Sequence, residues 1–166
     1  MMALRFFKRK TLIEATLLLP LLIGGCSSKI DGPSFSGAKI TLDANSYGVS
    51  ENIEIPSNEE FDQKRTAKES FILYYYNALC PHCVQFSPIV EAFSRQEQIA
   101  IYKLSSSLVD YSDYIGKVSP QIPSIIIFSQ GELLSRLDPV AEEDEVYYQN
   151  VMNFQVWIYT FVTKKP

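Results

Sequence analysis

The sequence predicts an α/β domain with a central mixed sheet that is flanked by helices and closed by an antiparallel hairpin. Three observations lead to this prediction. Phe71–Tyr76 is a continuous apolar and aromatic run, which is typical of a strand buried on both faces. Segments with apolar residues at helical spacing lie between such runs, as expected when helices connect neighbouring strands. Gln130-Gly131 is a turn between two strand-like runs, which predicts a hairpin.

The first half of the domain is predicted to alternate two strands with two helices. Ser57 stands three residues before Glu60, which is the spacing of a capping box at a helix N-terminus. The second helix has apolar residues at helical spacing, namely Val84, Phe86, Ile89, Val90 and Phe93. The predicted elements in order are the strand Asn52–Ile55, a helix from Ser57 to about Lys68, the strand Phe71–Tyr76 and a helix from Pro81 to about Gln96.

The second half is predicted to end in a hairpin and a long helix. Four acidic residues, 142–145, occupy the predicted first turn of that helix, where the helix dipole favours anions. Its inner face is apolar apart from Asn150. The predicted elements in order are the strand Ile99–Leu104, a short helix Leu108–Val118, the strands Ser124–Phe128 and Leu133–Leu137, and a helix Glu142–Val162.

The N-terminus resembles the signal peptide of a bacterial lipoprotein. Basic residues cluster within the first ten positions, and a short apolar run follows over residues 11–25. A bilayer-spanning helix needs about 20 apolar residues, so this run favours a signal peptide over residues 1–25. It ends in Ile23-Gly24-Gly25-Cys26, which resembles a lipobox and implies that lipid is attached to Cys26. The alternative is an uncleaved N-terminal anchor, and either one tethers the domain to the membrane outside the cytoplasm.

The remainder of the chain divides into a linker and an acidic domain. Residues 26–50 are rich in Ser and Gly and are predicted to be the lipidated cysteine followed by a flexible linker, with the domain over 51–166. The chain has 15 Lys and Arg residues against 19 Asp and Glu residues, and four of the basic ones lie before residue 11. An acidic body without a basic stripe argues against a nucleic-acid partner.

Cys80-Pro81-His82-Cys83 is the stretch that carries chemistry. A lone C-x-x-C is typical of a zinc site or of a redox dithiol. A structural zinc site needs four ligands, whereas this chain has one histidine and no second C-x-x-C, so the redox interpretation is favoured and no metal is expected. At the start of the predicted helix, unpaired N–H groups and the helix dipole favour the thiolate of Cys80, which is the predicted nucleophile. Pro81 suits the first helical position, and Cys83 is the predicted resolving thiol.

His82 is predicted to tune the dithiol. A hydrogen bond or charge from its imidazole to the thiolate stabilises the reduced form, which makes the disulfide a stronger oxidant. The alternative is a solvated helix residue without a role.

From Asn52 onward the chain resembles the thioredoxin-fold thiol–disulfide oxidoreductases. Residues 71–83 match the strand, loop and cysteines of that family, Pro88 matches the proline of its active-site helix, and residues 130–132 match its hairpin turn. Gln121-Ile122-Pro123-Ser124 matches its cis-proline segment. The resemblance implies that the Ile122–Pro123 bond is cis, that Pro123 packs against the active-site disulfide, and that the backbone of Ile122 pairs with a substrate strand.

The chain also departs from that pattern. Leu79 stands where thioredoxins carry Trp, and Tyr74 stands where they carry a buried acid that relays protons to the resolving cysteine. Lys103 falls where they often carry a lysine near the buried cysteine. The Pro-His dipeptide matches the DsbA-type disulfide oxidases, but the interval from Cys83 to Pro123 is only 40 residues, which is too short for the helical domain that those oxidases insert there. Small Gram-positive lipoproteins and secreted proteins, including bacteriocin-transport accessory proteins, look similar.

The sequence therefore predicts a membrane-anchored thiol–disulfide oxidoreductase without a cofactor. Its expected partners are cysteine-containing client proteins or peptides and a redox recycling partner. Two alternatives remain: a thioredoxin-fold binding module for exported peptides, and transient copper handling by the cysteines.

Overall fold

The structure, a computed structural model, describes residues 30–164. The predicted signal peptide, residues 1–25, and the predicted lipid attachment site, Cys26, lie outside the described residues. Three short 3-10 segments supplement the main elements, at Ala44–Ser46, Ser106–Leu108 and Glu142–Tyr148. The main elements in order are β1 (Ile53–Ile55), α1 (Asn58–Thr66), β2 (Phe71–Tyr76), α2 (Pro81–Glu97), β3 (Tyr102–Ser105), α3 (Tyr114–Val118), β4 (Ser124–Ser129), β5 (Glu132–Leu137) and α4 (Val151–Phe161).

The five strands form one mixed sheet in the order β1-β3-β2-β4-β5. β3 is parallel to both β1 and β2, whereas β4 is antiparallel to β2 and β5 is antiparallel to β4. The predicted mixed sheet with a closing hairpin is thus confirmed. β2 and β4 lie at the centre, and five of the six residues of each are buried.

Both faces of the sheet are covered, which explains the continuous apolar run in β2. Successive side chains of a strand point to opposite faces. Leu73 packs with Phe61 of α1 and Ile115 of α3 on one face. Tyr74 packs with Phe86 of α2 and Trp157 of α4 on the other. Neither face of β2 meets water, so neither set of side chains needs to be polar.

The predicted helix Glu142–Val162 is wrong, because it is two elements. Asn150 has an extended backbone (φ −161°, ψ 166°), and its side chain accepts a hydrogen bond from the N–H of Asn153 at 3.0 Å. Asn150 is therefore the N-cap of α4, and the residues before it form a 3-10 segment. The four acidic residues 142–145 belong to that 3-10 segment. The one polar residue on the expected inner face was the signal for the break.

Two other boundaries also differ from prediction. The helix expected over 108–118 is only α3, which begins at Tyr114, and the strand expected from Ile99 begins at Tyr102. Val84 was expected on the inner face of α2, but its side chain is 58% exposed. It lies in the first turn of the helix, where its side chain is left in contact with solvent.

Residues 30–48, which we call the N-terminal strap, pack against the domain, unlike the linker expected over 26–50. The N–H of Ile40 donates to the carbonyl of Phe161, and the N–H of Thr163 donates to the carbonyl of Ile40, both at 2.8 Å. Leu42 is buried in the core beside α2 and α4. The apolar residues among the glycines and serines of the strap explain why it adheres. No helix within residues 30–164 has the length and apolar character needed to cross a membrane.

Candidate active site

Cys80 lies between β2 and α2 and is the N-cap of α2. Its backbone is extended (φ −81°, ψ 119°), Pro81 occupies the first helical turn, and the Cys80 carbonyl accepts from the N–H of Val84 at 3.0 Å. Its Sγ accepts a hydrogen bond from the N–H of Cys83 at 3.4 Å. The sulfur of Cys80 thus takes up one of the N–H groups that a helix leaves unpaired at its start. The side chain is half-buried, as an accessible nucleophile requires.

Cys83 lies one turn into α2 and is only 1% exposed. Burial, and then the adjacent Cys80, raise the pKa of Cys83 to about 12, while the backbone N–H of Asn77 acts in the opposite direction. Taking a thiolate out of water is costly, so the buried thiol holds its proton at neutral pH. The structure therefore distinguishes the two cysteines by exposure: Cys80 is half-buried and Cys83 is buried.

Asn77 shapes the loop before the dithiol, and sequence reasoning missed it. Its side-chain oxygen accepts from the N–H of Leu79 at 2.9 Å, and its backbone carbonyl accepts from the N–H of Cys80 at 3.1 Å. Its amide nitrogen donates to the hydroxyl of Ser106 at 3.1 Å, which ties the loop to the segment after β3. Asparagine two residues before a turn N–H is the usual signal of such a loop.

Tyr74, in the position of the expected proton relay, is fully buried beneath α2. Its hydroxyl donates to the carbonyl of Cys83 at 3.0 Å, and the hydroxyl of Ser87 donates to the same carbonyl at 2.8 Å. Burial raises the pKa of Tyr74 far above its usual range, so the hydroxyl stays neutral. Tyr74 thus fixes the first turn of α2 and, as a neutral phenol, is a poor proton acceptor for Cys83.

The Ile122–Pro123 peptide bond is cis, as the resemblance implied. Residues 121–123, the cis-proline loop, are held from behind by Tyr148. Its hydroxyl lies 3.0 Å from the carbonyl of Pro123 and 2.9 Å from that of Leu137, so its single proton is shared between two acceptors. Arg136 of β5 donates from its guanidinium to the carbonyl of Val118 at 2.9 Å, which fixes the end of α3 three residues before this loop. Sequence reasoning missed both residues.

A cavity of about 590 Å³ opens beside the dithiol. His82 and Phe86 of α2 form one wall, and Ile122 and Pro123 form a second. A smaller cavity of about 180 Å³ lies on the other side of Ile122. Of the predicted site residues, His82, Ile122 and Pro123 line this cavity, whereas Cys80, Pro81 and Cys83 are not part of its lining. His82 is exposed there, and Leu79 before the dithiol is 91% exposed.

Lys103 has a structural role on β3, which lies next to the edge strand β1. Its Nζ lies 2.7 Å from a carboxylate oxygen of Glu54 on β1 and 4.6 Å from the ring centre of Tyr76. This ion pair links β1 to β3, and the contacts of Lys103 are accounted for without the dithiol. Within residues 30–164, no group of three or more His, Cys, Asp or Glu side chains is arranged to hold a metal ion.

No protein-family model matches the chain, and no curated protein matches it either. Solved structures do match. The thioredoxin of Malassezia sympodialis is 16% identical with a TM-score of 0.51, over 67% of this chain and 93% of that one. A variant thioredoxin from Halobacterium salinarum is 17% identical with a TM-score of 0.49, over 70% and 96% of the two chains. A Trypanosoma brucei brucei thioredoxin is 16% identical with a TM-score of 0.47, over 70% and 98%. The first of these likenesses, together with the sheet order, shows that the chain has a thioredoxin fold.

Proposed function

We propose that this protein is a thiol–disulfide oxidoreductase that works through the dithiol of Cys80 and Cys83. The observation that carries the proposal is the unequal placement of the two sulfurs. Cys80 caps a helix, is half-buried next to the cavity-lining His82 and accepts the N–H of Cys83, whereas Cys83 is buried one turn behind it. An accessible thiolate with a resolving thiol within reach is the arrangement that disulfide exchange needs.

In the oxidising direction the enzyme starts with a disulfide between Cys80 and Cys83. A client thiolate attacks Sγ of Cys80 in the Cys80–Cys83 disulfide, the bond between the two cysteines breaks, and Cys83 leaves and takes up a proton. A second client thiolate then attacks the client sulfur of the mixed disulfide, and Cys80 leaves as a thiolate at the helix N-terminus. Two electrons pass from the client dithiol to the enzyme. A recycling partner with an oxidising disulfide or quinone then removes them.

We propose that the dithiol donates disulfides rather than reducing them, because His82 lies exposed in the helix turn that carries Cys80. The full chain, purified in neutral detergent, is equilibrated with glutathione buffers. We expect a reduction potential closer to about −120 mV than to about −270 mV, the values of a strong oxidant and of a thioredoxin. His82→Ala should favour the disulfide by about tenfold, or about 30 mV, whereas Gln85→Ala in the same cavity should leave the potential unchanged.

Failure of Cys80 and Cys83 to form a disulfide in any of these buffers would remove the proposed function. A potential near that of thioredoxin would instead reverse the proposed direction while leaving the exchange chemistry in place.

We also propose that the protein is a lipoprotein outside the cytoplasm, anchored through Cys26, with exported proteins or peptides such as bacteriocins as its clients. The order of basic cluster, apolar run and Gly24-Gly25-Cys26 supports this. In the bacterial cell, the mature protein should begin at Cys26 and carry the mass of its acyl chains. Cys26→Ser should lose that mass, whereas Cys80→Ser should keep it. An intact mass that includes residues 1–25 would contradict the proposal.

A further inference from the structure

The cavity beside the dithiol has a third wall, which the connection between β5 and α4 provides. This connection, residues 138–150, contributes Val140, Glu145 and Tyr148 to the lining. It is fixed in place by Tyr148, which bonds the carbonyl of Pro123, and by Asp144, whose carboxylate accepts from the N–H of Asp138 at 2.8 Å. The wall is therefore rigidly joined to the cis-proline loop that faces it.

The charged side chains of this wall are all acidic. Residues 138–145 include five acidic side chains and no basic one. Asp138 is paired with Arg136, and Asp144 is used within the connection, as described above. Glu145 is different, because it is exposed, lines the cavity, and has no ion-pair partner within residues 30–164.

The opposite walls supply no permanent positive charge to Glu145. Among residues 30–164, no lysine or arginine lines the cavity, and His82 is the only basic residue in its lining. The remaining surface is largely apolar or amide, from Phe86, Pro139 and Val140 to Gln121. A largely apolar cavity with one unpaired carboxylate in its lining is complementary to a side chain with an apolar stem and a cationic end, as in lysine and arginine.

We propose that this cavity seats an extended client segment with a lysine or arginine close to its reactive cysteine, and that Glu145 determines this preference. The proposal rests on the proposed function, because the client must come to Cys80. An acidic client would be repelled by residues 138–145. A second copy of this chain is also a poor occupant, because it would present the same acidic connection.

Rates of disulfide exchange with short peptides test the proposal. The oxidised full chain is mixed with dithiol peptides that differ in one residue, placed one or two positions before or after a cysteine. We expect lysine peptides to react about three- to fivefold faster than glutamine peptides at low salt, which is the size of one exposed ion pair, and glutamate peptides to react more slowly than both. The advantage of lysine should shrink in high salt.

Two variants distinguish an effect of Glu145 in the cavity from an effect of the overall negative charge of residues 138–145. Glu145→Gln should bring the lysine and glutamine rates together, whereas Glu143→Gln, an exposed residue of the same 3-10 segment outside the cavity lining, should keep most of the difference. Equal rates for lysine and glutamate peptides, or an unchanged preference in Glu145→Gln, would overturn the assignment while exchange itself continues. Absence of exchange with every peptide would overturn both this proposal and the proposed function.

Discussion

Replacing Cys83 by Ala is expected to convert the protein into a trap for its partners. Cys80 would still form a mixed disulfide with a client or with glutathione, but Cys83, the thiol of the enzyme that resolves it, would be absent. We expect turnover to fall below detection and adducts to accumulate that disappear on treatment with dithiothreitol. With an oxidised cysteine peptide as substrate, non-reducing electrophoresis of the purified variant measures the adducts, and the rate of disulfide exchange measures turnover.

Cys80→Ala is the matched control, because it removes the accessible sulfur and leaves the buried one. Cys83 is 1% exposed, so a peptide cannot reach it, and no adduct should form when both variants also carry Cys26→Ser, which removes the third thiol of the chain. Adducts of equal yield in Cys80→Ala would show that the roles of the two cysteines are wrongly assigned. If the activity of the protein in the cell survives the replacement of both cysteines, a binding module rather than an oxidoreductase would be supported.

Release from the mixed disulfide is expected to accelerate about tenfold for each pH unit, and therefore about 100-fold between pH 6 and pH 8. Only the thiolate of Cys83 attacks, and burial, the largest cause, holds its pKa far above this range. Below its pKa, the thiolate fraction of a thiol rises tenfold per unit of pH. The mixed disulfide lacks the thiol of Cys80, which removes the next cause of the raised pKa but leaves the burial in place.

A coloured leaving group makes this rate visible. Cys80 is labelled with 2-nitro-5-thiobenzoate, and release of the coloured thiolate is followed by stopped flow from pH 6 to pH 8. Tyr74→Phe serves as the control: it should lose about 1 kcal/mol of stability with its hydrogen bond to Cys83, yet keep the same slope, because the hydroxyl is neutral throughout. A rate independent of pH would mean that Cys83 is already ionised or has a proton acceptor beside it.

The sequence predicted the parts of the site that are encoded locally. Cys80, Pro81 and Cys83 follow a buried strand and begin a helix, and each of these steps has a short-range signal. The strands of the sheet center are long apolar runs with neither face in water, so they were predicted to within a residue or two. The cis bond before Pro123 came from resemblance to a family, since nothing in an isolated Ile-Pro pair requires it.

The residues that escaped prediction act over long separations. Tyr148 reaches a carbonyl 25 residues earlier, and Asn77 reaches a hydroxyl 29 residues later. A hydrogen bond of this kind needs only one donor and one acceptor, so it produces no periodic pattern in the sequence that could predict it. The break before α4 was missed for another reason. Apolar residues at helical spacing lie on both sides of Asn150, and they favour one continuous helix. The only signal against it was Asn150 itself, whose side chain caps α4.

With lipid on Cys26, as proposed, the N-terminal strap would limit how far the dithiol can lie from the membrane. A free tether through residue 50 could extend roughly 80 Å from a lipid on Cys26, whereas the strap begins at Ile30, and the intervening residues span at most about 14 Å. The strap also starts beside the acidic connection, since the hydroxyl of Tyr147 donates to the carbonyl of Asp31 at 2.9 Å. With lipid on Cys26, as proposed, the dithiol would therefore lie no farther from the membrane than this short tether and the width of the domain allow.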